Sequence, residues 1–317
     1  MKHPHEALRP SIKVLFQVGV SLLLAVGVGW FIVRNGHEMV EGLHLLGHLP
    51  LSAVSTALAL VGVAFVLAAL SYQMLAFRRL RFSELLTIEL ASSFINRLVP
   101  SGVGGLGIHG LYLHHRKHTI PQATAVVSTN NLLGMVMHVL LLVLLLAFLG
   151  NPIGLRLRWS ATSLLLALAL GFVVVAVLLM RSVRWRISRF LHNLLVSLRR
   201  YSAHPHVLVF AALALVGLTL TNLLVLQLMA RAVGIELDST QLFLVYSAGL
   251  LVGVIVPTPG GLAGVETGLV AGFAAYGVPN EATIAATLAF RLVTYWIPLL
   301  PGAAAFMKMR FEKILLS

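Results

Sequence analysis

Six long apolar stretches constrain the fold of this chain more than any other feature of its sequence. They cover residues 12–33, 51–77, 122–149, 160–180, 207–231 and 283–307. A run of about 20 apolar residues crosses the hydrocarbon core of a bilayer as an α-helix. Only 10% of the 317 residues are charged, whereas soluble domains carry about 25%. The sequence therefore predicts an all-α polytopic membrane protein with about six full spans.

The basic residues between these stretches predict the topology. Lys and Arg number 23 against 10 Asp and Glu, an excess that would suggest nucleic-acid binding in a soluble protein. Here most of them lie in alternate gaps, at residues 2–13, 78–81, 116–117, 181–200 and 308–313. Because cytoplasmic loops are rich in Lys and Arg, we expect both termini in the cytoplasm and no nucleic-acid partner. Residues 181–201 have the pattern of an amphipathic helix on the inner leaflet.

Two further stretches fit neither a full span nor a loop. Residues 83–116 are interrupted by a Pro/Gly-rich break at 100–107, and residues 241–276 by a second break at 257–264. Each stretch has the pattern of a re-entrant hairpin of two half-length helices. Irregular backbone at membrane depth is tolerated only against protein or water, so both breaks are expected to line an interior cavity. Two ordinary spans with kinks are the alternative.

The two breaks align with each other and predict an internal repeat. The matching pairs are Pro100 with Pro257, Gly104 with Gly260, and Gly105 with Gly261. Each half then holds three spans and one hairpin, in residues 1–150 and 151–317. Three crossings per half place the second half upside down relative to the first, which is the inverted-topology plan of many transporters. The hairpin tips would meet near the midplane from opposite sides.

The breaks are candidate sites for an anionic lipid headgroup. Glycine lets another group approach the backbone closely, and half-helices that begin at a break direct their N–H groups and positive dipole ends into the cavity. The backbone candidates are Pro100, Gly104, Gly105, Pro257, Pro259, Gly260, Gly261 and Gly264. Close helix packing is the other ordinary use of Gly and Pro in such segments.

Two ionisable residues lie well inside apolar sequence, Glu266 after the second break and Arg291 in the last span, four residues before Tyr295. A central charge costs at least about 2.5–3.5 kcal/mol, so each is expected to face the other, a cavity or a ligand. We expect Arg291 to attract a headgroup phosphate, with Glu266 as its counter-charge or as a partner of a cationic group. A structural ion pair that joins two helices is the alternative.

The first half carries uncharged polar groups and one arginine in the equivalent region, namely Asn96, Arg97, His109, Asn130, Asn131 and His138. His109 aligns with Glu266, and Asn131 aligns with Arg291. Amides and imidazoles can hydrogen-bond headgroup oxygens, so we include His109, Asn130 and Asn131 among the headgroup candidates. Hydrogen bonds between helices are an equally available role for each of them.

The sequence offers no visible catalytic or metal centre. It has no Cys, no P-loop and no nucleophile elbow. His114 and His118 are four residues apart, but the neighbouring Arg116 and Lys117 oppose a cation. We therefore expect no enzymatic activity, no metal and no cofactor.

Four motifs, at residues 96–107, 128–134, 257–266 and 290–298, resemble the transmembrane region of lysylphosphatidylglycerol synthase. The most specific is Pro-x-Pro-Gly-Gly-x-x-Gly-x-Glu at 257–266, followed by Arg291 and Tyr295. The resemblance implies a bacterial or archaeal inner-membrane protein that moves a lipid between leaflets. The family's cytosolic domain that aminoacylates lipid has no counterpart here, so lipid aminoacylation by this chain alone is not expected. The alternative function is a non-transporting lipid-binding scaffold for a lipid synthase or glycosyltransferase.

Overall fold

The computed structural model describes residues 46–98, 103–148, 201, 205–255 and 261–311, and within these residues every regular element is helical. Nine α-helices and one π-helical segment lie in them. They are α1 (Leu51–Leu75), α2 (Phe82–Leu98), α3 (Val103–His115), α4 (Ile120–Phe148), α5 (Pro205–Ala232), α6 (Ser239–Ile255), α7 (Gly264–Ala275), α8 (Asn280–Arg291), the π segment (Leu292–Trp296) and α9 (Leu299–Phe311). The predicted all-α polytopic membrane fold is confirmed.

Four helical stretches of the described chain are long and apolar enough to cross a membrane. They are Leu51–Leu75, Ile120–Ala147, Pro205–Ala232 and Asn280–Met309. They lie on the predicted spans 51–77, 122–149, 207–231 and 283–307. The predicted spans 12–33 and 160–180, and the predicted surface helix at 181–201 apart from Tyr201, lie outside the described residues.

The last span is longer and less regular than the sequence indicated. Helix α8 passes into the π segment and then into α9, so that Asn280–Met309 forms one stretch. The irregularity ends at Pro298, which has no backbone N–H and cannot continue the hydrogen-bond ladder of the preceding turn. The N–H of Ile297 instead donates to Leu292 O, five residues back, at 2.9 Å. Such π-turns occur frequently at functional sites.

Each predicted hairpin corresponds to two consecutive helices, α2 and α3 in the first half and α6 and α7 in the second. In the first hairpin, the backbone N–H of Gly105 donates to Asn96 Oδ1 at 2.7 Å, so a side chain of α2 caps the start of α3. At the other end of this hairpin, the Glu84 carboxylate accepts from Tyr112 at 3.0 Å and pairs with Arg116. The two arms are thus joined at both ends.

The second hairpin packs through glycines spaced four residues apart on both arms. A Cβ at Gly268 would lie 2.4 Å from Ala248 O, and one at Gly272 would lie 2.9 Å from the Cα of Val245. On α6, a Cβ at Gly249 would lie 2.9 Å from Leu269 Cγ, and one at Gly253 would lie 2.6 Å from Val265 Cγ2. Small residues with this spacing allow helix backbones to approach each other closely in membranes.

Packing contacts recur between equivalent elements of the two predicted repeats. Helix α2 contacts α3 as α6 contacts α7, α3 contacts α4 as α7 contacts α8, and α1 contacts α2 as α5 contacts α6. Helices α1 and α5, which are equivalent in the repeat, pack extensively against each other. The division into residues 1–150 and 151–317, and the inverted orientation of the halves, stay predictions.

The buried apolar residues form two clusters, one around each hairpin. The first cluster joins the N-terminal half of α1 to α5, α6, α7 and α8. The second cluster joins the C-terminal half of α1 to α2, α3, α4 and α9. Helix α4 leaves many large apolar side chains exposed, as a lipid-facing helix does, including Met135, Val139 and Val143. Helices α1 and α5 pass between the two hairpins, and this is where the cavity described below is found.

Candidate functional site

A cavity of about 520 Å³ lies among helices from both predicted repeats. Its walls come from α1, α2, α3, α4 and α5, and the π segment contributes Thr294. Its polar lining residues are Ser71, Tyr72, Glu89, Ser92, Ser93, Asn96, His109, Asn130, Asn131, Asn222 and Thr294. A volume in the range of about 300–1,000 Å³ with a few convergent polar groups is typical of a small-molecule site. This cavity is the candidate functional site.

Helix α2 supplies the cavity with a polar stripe. Its members are Glu89, Ser92, Ser93 and Asn96. Residues three, four and seven positions apart lie on one face of an α-helix, so these side chains line the cavity together while the apolar residues Leu85, Ile88 and Ala91 are buried. The stripe places a carboxylate, two hydroxyls and an amide on one wall.

The Glu89 carboxylate is paired with the imidazole of His109 on α3. Glu89 Oε1 lies 2.9 Å from His109 Nε2, and Nδ1 lies 2.9 Å from Gly105 O and 3.1 Å from Ser92 Oγ. Because the Gly105 carbonyl can only accept, Nδ1 carries a proton, and a second proton lies between Nε2 and the carboxylate. The pair therefore has no net charge. The ring of Tyr72 stacks on His109 with 4.0 Å between ring centres.

The cavity amides on α4 and α5 are each held by a hydrogen bond to a neighbouring group. Asn131 Nδ2 donates to Val127 O at 2.8 Å, and Asn222 Nδ2 donates to Leu218 O at 2.9 Å. Ser71 Oγ donates to Asn130 Oδ1 at 2.7 Å, which connects α1 with α4. These bonds fix the orientation of each amide beside the cavity. A ligand there must therefore place its hydrogen-bonding groups in matching directions.

A second group of residues, here called the arginine cluster, adjoins this cavity and consists of Arg97, Glu266, Arg291 and Tyr295. Arg291 Nε donates to Glu266 Oε1 at 2.6 Å, so the two predicted charges do pair. The guanidinium carbons of Arg97 and Arg291 lie 4.8 and 4.3 Å from the Tyr295 ring centre. A guanidinium over an aromatic ring is stabilised by the charge distribution of the ring.

Arg97 has no carboxylate partner among the described residues. Its Nη2 donates to Thr294 O at 2.8 Å, and Nη1 lies 3.3 Å from Ser93 Oγ. In a regular helix Thr294 O would accept the N–H of residue 298, but Pro298 has none. Thr294 and Ser93 both line the cavity, so Arg97 places a positive charge at the cavity wall. With one carboxylate for two guanidiniums, the arginine cluster carries an excess of positive charge.

The glycines and prolines predicted to contact the headgroup lie in different parts of the structure. Gly105 lines the cavity, where a Cβ would lie 2.4 Å from the Asn96 amide. Gly104 lies in the first turn of α3, Gly261 has φ 68° in the turn before α7, and Gly264 begins α7. Pro100, Pro257, Pro259 and Gly260 lie outside the described residues. Asn96 caps α3, whereas the N-terminus of α7 has no side-chain cap and carries Glu266 in its first turn.

Three of the histidines singled out in the sequence lie away from the cavity. His138 Nε2 lies 3.1 Å from Ser247 Oγ, and its ring contacts Phe243 and Tyr246, so it joins α4 to α6. His118 is buried in the turn before α4, and His114 Nδ1 contacts His118 O. Within the described ranges, no group of three or more His, Cys, Asp or Glu residues could hold a metal ion.

The sequence matches the family model described as Lysylphosphatidylglycerol synthase TM region over residues 17–302. The chain belongs to this family. A comparison with curated proteins found no match. Membership in the lysylphosphatidylglycerol synthase TM region family, together with the long apolar helices, points to a membrane-embedded protein that acts on lipids.

In this member of the lysylphosphatidylglycerol synthase TM region family, the predicted candidates divide between two adjoining places. His109, Asn130, Asn131 and Gly105 line the cavity, whereas Glu266, Arg291 and Tyr295 form the arginine cluster. Glu89 and Asn222 were not predicted. The available signal for Glu89 was a carboxylate in the middle of a half-helix, with polar residues at helical spacing after it. Asn222 carries no such signal, since it is an uncharged polar residue in an apolar span.

Proposed function

We propose that this protein binds the phosphate of an anionic lipid headgroup at the arginine cluster and moves the lipid between the leaflets of the inner membrane. The guanidinium of Arg97 is the main support for this proposal. It adjoins the cavity and has no carboxylate partner among the described residues. An unpaired charge within apolar surroundings is costly. A bound anion would remove that cost, and this is the usual reason for such a group to be present.

The chemistry of the cluster suits a phosphate. A guanidinium donates two parallel hydrogen bonds to phosphate oxygens, which a Lys ammonium cannot do with the same geometry. Arg291 is partly neutralised by Glu266 at 2.6 Å, so it contributes less to the attraction than Arg97. Tyr295 holds the two guanidiniums beside one ring. The phosphate would lie at this edge of the cavity, with the rest of the headgroup inside.

The arrangement of helices supports transport over passive anchoring. The cavity walls combine helices of both predicted repeats, and inverted repeats commonly rock against each other about a central site. The headgroup would cross within the protein while the acyl chains stay in the hydrocarbon. We propose a multi-pass protein with both termini in the cytoplasm and no catalytic step.

Reconstitution tests this function. Purified protein is placed in liposomes that contain trace acyl-labelled phosphatidylglycerol, and a membrane-impermeant reductant quenches the label in the outer leaflet. Vesicles with the protein should lose nearly all of the signal, whereas protein-free vesicles should lose about half. Loss of only half the signal from vesicles shown to contain folded protein would reject transport. It would instead favour a lipid-binding scaffold for a lipid synthase or glycosyltransferase.

A further inference from the structure

The cavity itself presents hydrogen-bonding groups without a net charge. The Glu89–His109 pair is neutral as a unit, because the hydrogen bonds of both ring nitrogens require a total of two protons on the pair. The remaining polar groups of the cavity are amides and hydroxyls. The positive charge lies outside this lining, in the arginine cluster. The cavity and the cluster therefore suit different parts of one ligand.

Several atoms of the lining have hydrogen-bonding capacity that the described residues do not use. The amide nitrogens of Asn131 and Asn222 each donate to a backbone carbonyl, but none of the described residues donates to their amide oxygens. Glu89 uses Oε1 toward His109, and Oε2 has no partner within the same part of the chain. Acceptors are thus present on three walls, alongside the second N–H of Asn222, whereas the Asn131 amide also hydrogen-bonds the Tyr72 hydroxyl.

A hydroxyl group both donates and accepts hydrogen bonds, so it matches a lining that offers the acceptors of Glu89, Asn131 and Asn222 together with an amide N–H of Asn222. An ammonium group would need an unpaired carboxylate, and the Glu89 carboxylate is already neutralised at 2.9 Å. A second phosphate or carboxylate would face Glu89 at close range. The lining therefore favours an uncharged ligand with several hydroxyls over a cationic or an acidic one.

The size of the cavity supports the same class of ligand. Its volume of about 520 Å³ is several times that of a single small polar group, and it falls in the range of about 300–1,000 Å³ found for small-molecule sites. A phosphate alone at Arg97 would leave the amides and Glu89 without a ligand contact. A ring with several hydroxyls presents hydrogen-bonding groups in several directions, as a lining from α2, α4 and α5 requires.

We propose that the cavity binds an uncharged polyhydroxyl ring, a sugar or an inositol, that is joined through its phosphate to the lipid. The phosphate lies at Arg97 and the ring lies among Glu89, Asn131 and Asn222. This inference rests on the proposed function, since it specifies which headgroup the same site accepts.

The test compares lipids that share the phosphate and differ beyond it. Acyl-labelled phosphatidylinositol, phosphatidic acid and phosphatidylserine are reconstituted separately, and the rate of movement of each is measured. Sites that hydrogen-bond hydroxyls discriminate strongly against analogues without them, so phosphatidylinositol should move at least about tenfold faster than the other two. Equal rates for all three would overturn the inference while leaving the proposed function intact. If no lipid moves, the proposed function fails, and competition of the same lipids for the protein in detergent then decides the inference.

A pair of substitutions on α5 shows whether the cavity lining causes the preference for phosphatidylinositol. Asn222→Leu removes a cavity amide at similar volume, and Thr219→Val removes a hydroxyl that also bonds four residues back, to Leu215 O, but does not line the cavity. Asn222→Leu should lower the movement of phosphatidylinositol to the rate of phosphatidic acid, and Thr219→Val should leave the preference unchanged. If Asn222→Leu does not fold, Asn131→Leu serves in its place. A full preference in a folded cavity variant would overturn the inference.

Discussion

Pro298, in the second repeat, leaves a backbone carbonyl free to hold Arg97 of the first repeat. Pro298 cannot donate to Thr294 O, and Arg97 of the first hairpin donates to this carbonyl instead, at 2.8 Å. The sequence identified Arg97 as part of a polar set, but it could not indicate this partner, because the contact joins positions that are far apart in the chain. Only the folded arrangement reveals that Arg97, and not Arg291, lacks a carboxylate partner among the described residues.

The Glu266–Arg291 pair gives a prediction that separates a ligand contact from a structural link. Removal of one partner leaves the other charge buried, at a cost of about 3–5 kcal/mol, and removal of both avoids this penalty. We expect Glu266→Gln and Arg291→Gln each to lower the melting temperature. The double variant should recover most of that loss, yet it should bind anionic lipid more weakly than the parent. Melting temperature and lipid binding of the three variants measure this.

A double variant that regains both stability and full lipid binding would show that Glu266 and Arg291 do not belong to the phosphate site. The two residues would then only join α7 to α8, and the phosphate site would have to be placed at Arg97 alone.

At the element scale, the sequence predicted the helices better than their irregularities. Hydropathy located the described spans to within a few residues, because the bilayer requires about 20 apolar residues per crossing. The Pro/Gly breaks indicated both hairpins, since these residues interrupt helices. The π segment was not predicted, because it depends on how the turn before Pro298 relaxes. Glu89 was also missed, because its partner His109 lies on the other arm of the hairpin.

The glycines between α6 and α7 predict a difference between two similar substitutions. A Cβ at Gly268 would lie 2.4 Å from Ala248 O, whereas one at Gly62 in α1 would have nothing within 4 Å. We expect Gly268→Ala to destabilise the protein by about 1–3 kcal/mol, because the arms must move apart. Gly62→Ala should be neutral or slightly stabilising, because Ala favours helix. Melting temperatures in detergent compare the two. Equal stability of both variants would show that close approach of these backbones is not required.

At the scale of the whole molecule, the two hairpins with their neighbouring helices form two clusters with matching contacts, and the cavity lies among helices of both. Hydropathy and motif alignment indicated this plan from the sequence. They could not indicate that the polar lining comes mainly from the first hairpin and α4, because the repeat carries different polar residues in its two halves. The asymmetry gives the first repeat most of the cavity amides, with Asn222 from the second, and gives the second repeat most of the arginine cluster.

The inverted repeat predicts that the turns after α3 and α7 lie on opposite sides of the membrane. The parent chain has no Cys, so single substitutions can be labelled without background. Thr119→Cys and Ala275→Cys place the thiol at exposed positions beside these turns. An impermeant thiol reagent should reach Thr119→Cys only from the cytoplasmic side and Ala275→Cys only from outside. Labelling of both from one side would reject the inverted arrangement.

If Arg97 holds the lipid phosphate, its loss must lower the affinity of the purified protein for phosphatidylglycerol in detergent. Arg97→Gln removes the guanidinium beside the cavity, and Arg231→Gln removes an exposed one at the end of α5. Since hydrogen bonds to charged groups contribute about 1.5–3 kcal/mol, Arg97→Gln should weaken binding at least about tenfold, and Arg231→Gln should bind as the parent does. Parent-like affinity of a folded Arg97→Gln variant would show that Arg97 does not hold the phosphate.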